Sequence, residues 1–176
     1  MDTNQLRCTN LIGIGETGLS FANFVLSIGC RPNTSTLLLN KKKSKEISTN
    51  AFDVVYEENS TEVDYTKIAD EQDNGKPSLI IFGGAGKFSG DAAIKLNAVL
   101  KLIDQPTSFI VIGPFKFEGE KAQKRASDVL AKLKKLGAIS HYFSNQDIFS
   151  LISPTASFED GFAKLNSKIF NFYIAH

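Results

Sequence analysis

The sequence predicts an α/β fold, a single three-layer α/β/α domain on a mostly parallel, doubly wound sheet. Three observations lead there. Short, dense apolar runs alternate with longer segments whose apolar residues recur at helical spacing, the pattern of strands joined by crossover helices. Two of those runs pass directly into glycine-rich turns followed by helical segments. The 176 residues contain no internal repeat, low-complexity stretch or interdomain linker, so one domain over 1–176 is expected.

Taken in order, Leu11-Ile12-Gly13-Ile14 reads as a buried first strand closed by Gly15. Leu19, Phe21, Ala22, Val25, Leu26 and Ile28 keep helical period, and Gly29 stops that helix. Leu37-Leu38-Leu39 is a second strand and Phe52-Asp53-Val54-Val55-Tyr56 a third. Residues 57–75 are polar and acidic, with a short helix around 63–69. Ser78-Leu79-Ile80-Ile81-Phe82 is the clearest central strand, followed by a helix over 91–103 with Ala92, Leu96, Val99, Leu100 and Ile103 on one face. Phe109-Ile110-Val111-Ile112 is another buried strand. Ala122, Ala126, Val129, Leu130, Leu133 and Leu136 mark a helix ending at Gly137, residues 139–143 form a sixth strand, and a last helix starts near Phe158.

Composition narrows the function classes. Apolar residues at 42% and charged residues at 22% exclude a wholly disordered chain. Lysine and arginine number 20 against 19 acidic residues, a net charge of +1, so no global pull toward nucleic acid or anionic membrane is expected. Cys8 and Cys30 are too few for a disulfide framework or a zinc site of their own. No apolar run is long enough to cross a bilayer, and the first ten residues lack the apolar core of a signal peptide. A soluble, cytoplasmic protein is expected.

Three constellations carry chemistry. Gly13-Ile14-Gly15-Glu16-Thr17-Gly18 has the spacing G-x-G-x-x-G between a strand and a helix. Missing Cβ atoms let backbone approach a phosphate, and free N–H groups favour negative charge there; a plain tight turn reads equally well. A dinucleotide site needs an acid at the end of the second strand, but Asn40-Lys41-Lys42-Lys43 stands there. Those lysines leave open an NADP-binding oxidoreductase, with a solvated loop as the plainer reading. Gly83-Gly84-Ala85-Gly86-Lys87-Phe88-Ser89-Gly90 follows the central strand. It is no P-loop, because Ile81 stands where the first glycine belongs and Phe88 replaces the Mg2+-binding hydroxyl. Two glycine turns on neighbouring strands still open at the carboxyl edge, where such sheets bind ligands.

The third constellation is Gly113-Pro114-Phe115-Lys116-Phe117-Glu118-Gly119-Glu120-Lys121. Here the chain resembles the FtsZ/tubulin superfamily, whose FtsZ members carry P-F-x-F-E-G-x-K; Pro114, Phe115, Phe117, Glu118, Gly119 and Lys121 match. The resemblance runs over essentially the whole chain, as the amino-terminal nucleotide-binding half, and the motifs keep their order. It implies an FtsZ/tubulin nucleotide-binding domain fold and GTP or GDP as ligand, with Mg2+ only alongside nucleotide. It places Gly13, Gly15, Glu16, Thr17 and Gly18 in the first phosphate loop, Asn40 at the end of the second strand, and Gly83, Gly84, Gly86, Lys87 and Gly90 in the tubulin signature loop. Glu118 falls on the ribose-binding glutamate and Asn145 on a guanine-binding asparagine. Phe162 and Asn166 fall on the aromatic that packs on guanine and the polar residue that reads its edge.

The departures point to a degenerate site. The signature loop carries Lys87 and Phe88 where the family has glycine or threonine, with Asp91 close behind. The stretch 56–62 is acidic and lacks the family's glycines, and Ala122 stands for its phosphate-binding arginine, with Arg125 one turn on. The family's hydrolytic acidic loop lies in a second domain beyond the position of His176. The expectation is therefore an FtsZ-like domain of cytoskeletal or cell-division type that acts through protein contacts, with an FtsZ/tubulin-like subunit or a second copy as partner, and with little GTPase activity alone. A GTPase completed in trans is the enzyme reading. Plainer roles stand beside these: Phe162 in an apolar stripe with Phe158, Leu165 and Ile169, Glu118 as a first-turn acid, Asn145 as a helix N-cap, and Lys121, Lys124, Arg125, Lys132, Lys134 and Lys135 as one wet helix face.

Overall fold

Each central strand divides its side chains between two cores. In the computed structural model, which describes residue 7 and residues 9–40, 54–58 and 63–175, Leu11, Leu79, Ile81, Ile110 and Ile112 belong to one buried cluster. Their neighbours Ile12, Ile14, Ile80, Phe82, Phe109 and Val111 belong to the other. A strand's period of two produces this division, and it requires a helical layer on both faces.

The elements run β1 (Asn10–Ile14), α1 (Gly15–Ser27), β2 (Thr34–Asn40), β3 (Val54–Glu58), α2 (Tyr65–Asp70), β4 (Ser78–Gly83), α3 (Lys87–Leu102), β5 (Thr107–Gly113), α4 (Glu120–Lys135), β6 (Ile139–Ser144), α5 (Ile148–Leu151) and α6 (Phe158–Ala175). Short 3-10 turns at Lys116–Glu118 and Asn145–Asp147 precede α4 and α5. The six strands lie in the order β3-β2-β1-β4-β5-β6, and every pairing is parallel. The fold class read from the sequence is thus present, with the sheet parallel throughout the described residues.

Phe21, Ala22 and Val25 of α1 pack with Leu165, Ile169 and Phe170 of α6 in the first core. Ile68 of α2, Ala92, Leu96 and Leu100 of α3, and Val129 and Leu133 of α4 fill the second. The connection leaving β1 therefore goes to one face and that leaving β4 to the other. Because β1 and β4 are adjacent, a crevice must open between the two turns at the carboxyl edge.

Several boundaries differ from expectation. Helix α1 begins at Gly15 and α3 at Lys87, so residues read as glycine loops form first helical turns. Glu57 and Glu58, expected in a loop, are strand residues paired with Leu39 and Asn40. Asn145 is not the N-cap of its turn: Ser144 is, its hydroxyl accepting from the Gln146 N–H. Residues 41–53 and 59–62, with the lysines after Asn40 and Glu62 of the acidic stretch, lie outside the described residues, as do Cys8 and His176. No helix among the described residues is long and apolar enough to cross a membrane.

Candidate functional site

The crevice is a cleft of about 940 Å³ at the carboxyl edge of the sheet. Its lining draws on all three constellations: Gly15, Glu16 and Thr17 from the first, Gly83, Gly86 and Lys87 from the second, and Pro114 and Glu118 from the third, together with Asn145. The two helices that start here carry no side-chain cap on Ile14 or Gly86, whereas Asp64 caps α2 by accepting from the Thr66 and Lys67 N–H groups. The first-turn N–H groups of α1 and α3 are therefore donors without a capping side chain, suited to an anion.

The glycines of the first turn divide the work. Gly15 has φ +68°, with open space where a Cβ would stand; its conformation suits glycine, and its exposed backbone faces the cleft. Gly13 and Gly18 do not line the cleft. A Cβ on Gly13 would come within 3.0 Å of the Gly18 backbone, and one on Gly18 would overlap Gly13. That pair lets α1 lie close against β1.

The second turn is braced from several directions. The Ser89 hydroxyl donates to the carbonyls of Gly83 (2.6 Å) and Gly86 (3.1 Å). The Gly84 N–H reaches the Ile112 carbonyl at 2.8 Å, and Arg125 donates its Nε–H to the Ala85 carbonyl at 2.6 Å. Arg125 thus holds the loop from behind. Gly84 and Gly90 sit inside the packing, against Val111 with Ala126 and against Val129, and take no part in the lining.

In the third turn the Phe115 N–H donates to Glu118 Oε1 at 2.7 Å. Gln123 donates to the Phe115 carbonyl at 2.8 Å, and Gln146 accepts from the Lys116 N–H at 3.1 Å. Glu118 has both its expected place at the cleft and a capping role. Phe162 and Asn166 are placed elsewhere. The Phe162 ring meets Phe115 edge-on, with centroids 6.1 Å apart, in an aromatic cluster with Phe117, Phe149 and Phe158. Asn166, 8% exposed, donates to the carbonyl and hydroxyl of Ser20. Asn40 ends β2 opposite Glu58.

Further lining residues escaped the motif reading: Tyr65, Ile94, Lys95 and Lys132. For Lys95 the signal was available, since Lys87, Asp91 and Lys95 stand at i, i+4 and i+8 on α3, one helix face. The Lys95 ammonium sits over the Tyr65 ring, 5.2 Å from its centroid. The donor set fits a divalent cation poorly. Asp91 has a lysine one turn away on each side, the Ser89 hydroxyl is committed to the loop, and Glu118 faces backbone. No cluster of three or more metal-ligating side chains occurs among the described residues.

The sequence matches no protein-family model and no curated protein. Solved structures do match. FtsZ from M. jannaschii superposes with a TM-score of 0.70 at 16% identity, over 94% of this chain and 54% of that one. TubZ of Clostridium botulinum phage c-st gives 0.71 at 12% identity, over 97% and 61%. CetZ2 from Haloferax volcanii, a GTPgS-bound protofilament, gives 0.68 at 18% identity, over 92% and 55%. The chain therefore spans between about half and three-fifths of those proteins, and in that span it has the FtsZ/tubulin nucleotide-binding domain fold.

Proposed function

We propose that this chain is a guanine-nucleotide-binding domain of the FtsZ/tubulin kind, which takes GTP or GDP weakly, hydrolyses little by itself and acts through protein contacts in a filament-type assembly. The observation that carries the reading is the cleft: both glycine turns, the uncapped starts of α1 and α3, Glu118 and Asn145 meet around one cavity. Phosphates lie against the two glycine turns, where backbone donors are available, and the ribose lies toward Glu118. The base lies toward Asn145. Phe162 and Asn166 act from behind, Phe162 by backing the third turn through Phe115 and Asn166 by tying α6 to α1.

Weak binding follows from the two positions where the loop chemistry changes. Ala122 is buried and offers no cation to a phosphate, and Arg125 is turned to Ala85. The partner is a filament subunit of the same fold or a second copy of this chain. The likeness to a CetZ2 protofilament and to an FtsZ dimer supports that choice. The domain docks through its nucleotide face, a heterologous contact.

Calorimetric titration with GTP, GDP, ATP and NADPH tests the nucleotide reading. Guanine nucleotides bind preferentially, and Asn145→Ala weakens them by about tenfold, the loss of one good polar contact to a base. Preference for ATP or NADPH would overturn it. Co-sedimentation with a complete FtsZ-type filament, beside sedimentation of the protein alone for self-association, tests the partner reading: the protein pellets with the polymers or associates with itself, and absence of both overturns it.

A further inference from the structure

A charged stripe along α3 lines the cleft beside the second glycine turn. Lys87 is the first residue of that helix and Asp91 and Lys95 follow at one-turn intervals, all three lining the cleft. Among the described residues Lys87 makes no hydrogen bond or ion pair. It is exposed, and its flexible stem lets the ammonium swing over the second glycine turn. Mg2+ requires near-octahedral oxygen ligands at short range and is held by one or two carboxylates plus phosphate oxygens. Here the carboxylate on the helix that follows that turn, Asp91, is flanked by two cations on its own helix face, and the neighbouring hydroxyl, Ser89, is locked to the Gly83 and Gly86 carbonyls.

We propose that Lys87 itself supplies the positive charge that a divalent ion would bring to the ligand's phosphates, so that this cleft binds nucleoside di- and triphosphates without a metal. The proposal rests on the nucleotide reading above. A polyphosphate needs compensating positive charge, and an ammonium carried on the first turn of α3 supplies it without the set of oxygen ligands that a divalent ion demands. Lys95 is held at the Tyr65 ring, which leaves Lys87 as the member of the pair whose ammonium is exposed and unbonded. An ammonium in this place also repels a divalent cation from Asp91, so added Mg2+ gains nothing.

The experiment is a titration of the protein with GDP and with GTP, each in millimolar Mg2+ and in excess EDTA, for the wild type, Lys87→Ala and Lys87→Arg. The wild type binds with affinities within about threefold of each other in the two buffers, under ~1 kcal/mol. Lys87→Ala loses about tenfold in EDTA, the value of one charge-assisted contact, and regains part of it when Mg2+ is restored. Lys87→Arg keeps metal-independent binding. Because Lys87 is exposed and unbonded, the variants fold, and circular dichroism confirms it. Wild-type binding that requires Mg2+ overturns the proposal while leaving the nucleotide reading intact. So does unchanged binding by Lys87→Ala. Absence of binding to either nucleotide in both buffers overturns the nucleotide reading and this proposal with it.

Discussion

Asn166 on α6 donates its side-chain N–H to Ser20 on α1, 3.1 Å to the hydroxyl and 3.3 Å to the carbonyl. The pair is 146 residues apart in sequence and joins the last helix to the first. An asparagine in this apolar stripe is thereby accounted for by a satisfied interhelical contact. Asn166→Ala leaves the Ser20 groups without their partner and lowers folding stability by about 1–2 kcal/mol. Ser20→Ala, which retains the carbonyl acceptor, costs less than about 1 kcal/mol. Urea denaturation of both variants measures this. Full stability of Asn166→Ala would show that the contact contributes nothing to the fold.

The two kinds of glycine in the first turn separate experimentally. Gly18→Ala forces a Cβ into the Gly13 backbone, where neither side can rotate away, and destabilises by about 3 kcal/mol or more. Gly15→Ala meets no atom but must hold φ +68°, which costs about 1 kcal/mol. The second variant therefore folds and shows weakened nucleotide binding, while the first unfolds at lower temperature or fails to accumulate. Equal thermal stability of the two variants would contradict the assignment.

Tyr173 on α6 places its hydroxyl 3.0 Å from the Thr9 hydroxyl, just before β1. Burial pushes the phenol above its ordinary value, and the Thr9 hydrogen bond offsets part of that rise. Folding thus favours the protonated ring. Its contribution is fully present below the ordinary phenol pKa and is lost as pH rises through the higher folded value. Melting temperature is expected to fall across that alkaline window, and to fall less steeply in Tyr173→Phe, which has nothing to ionise. Parallel pH profiles for the two proteins would remove Tyr173 from the explanation.

The strands were legible because a parallel sheet covered on both faces needs continuous apolar runs, and Leu79-Ile80-Ile81-Phe82 can be little else. The starts of α1 and α3 were not, because Glu16, Thr17, Lys87 and Ser89 carry no apolar period at the turns where those helices begin. Local glycine chemistry reads as loop there, and hydrogen bonds such as Gly90 N–H to Gly86 carbonyl extend the helix regardless. At the site, motif order found the turns that line the cleft. It did not resolve which glycine faces a ligand and which faces a helix, since Gly15 and Gly18 differ only through φ and through a neighbour on another element. Likewise Phe162 and Asn166 share one helix face, but their partners, Phe115 and Ser20, are set by tertiary packing that spacing along α6 does not encode.

Discrimination between GTP and GDP requires donors or cations placed at the third phosphate. The cleft has Lys87, Lys95 and Lys132 in its lining, but none stands at the position of the family's phosphate-binding arginine. Ala122 is buried at 4% exposure, Arg125 is bonded to the Ala85 carbonyl, and β3 delivers Glu57 and Glu58 to the carboxyl end of the sheet. Lys87 stands at the second glycine turn, and on the proposed reading it meets the phosphates that GTP and GDP share. The two affinities are expected to agree within about fivefold, or ~1 kcal/mol. Hydrolysis also needs a water held in line with the leaving oxygen. Of the three cleft carboxylates, Glu16, Asp91 and Glu118, Glu118 accepts from the Phe115 N–H at Oε1 and Asp91 lies between two lysines of α3, so those two are not set to orient that water. Turnover by the isolated protein is expected to stay near the uncatalysed rate. Single-turnover phosphate release, run beside competitive titration of GTP against GDP, measures both quantities together. Sustained phosphate release by the protein alone, or a GTP preference beyond about a hundredfold, would show that a γ-phosphate site has been assembled from other residues.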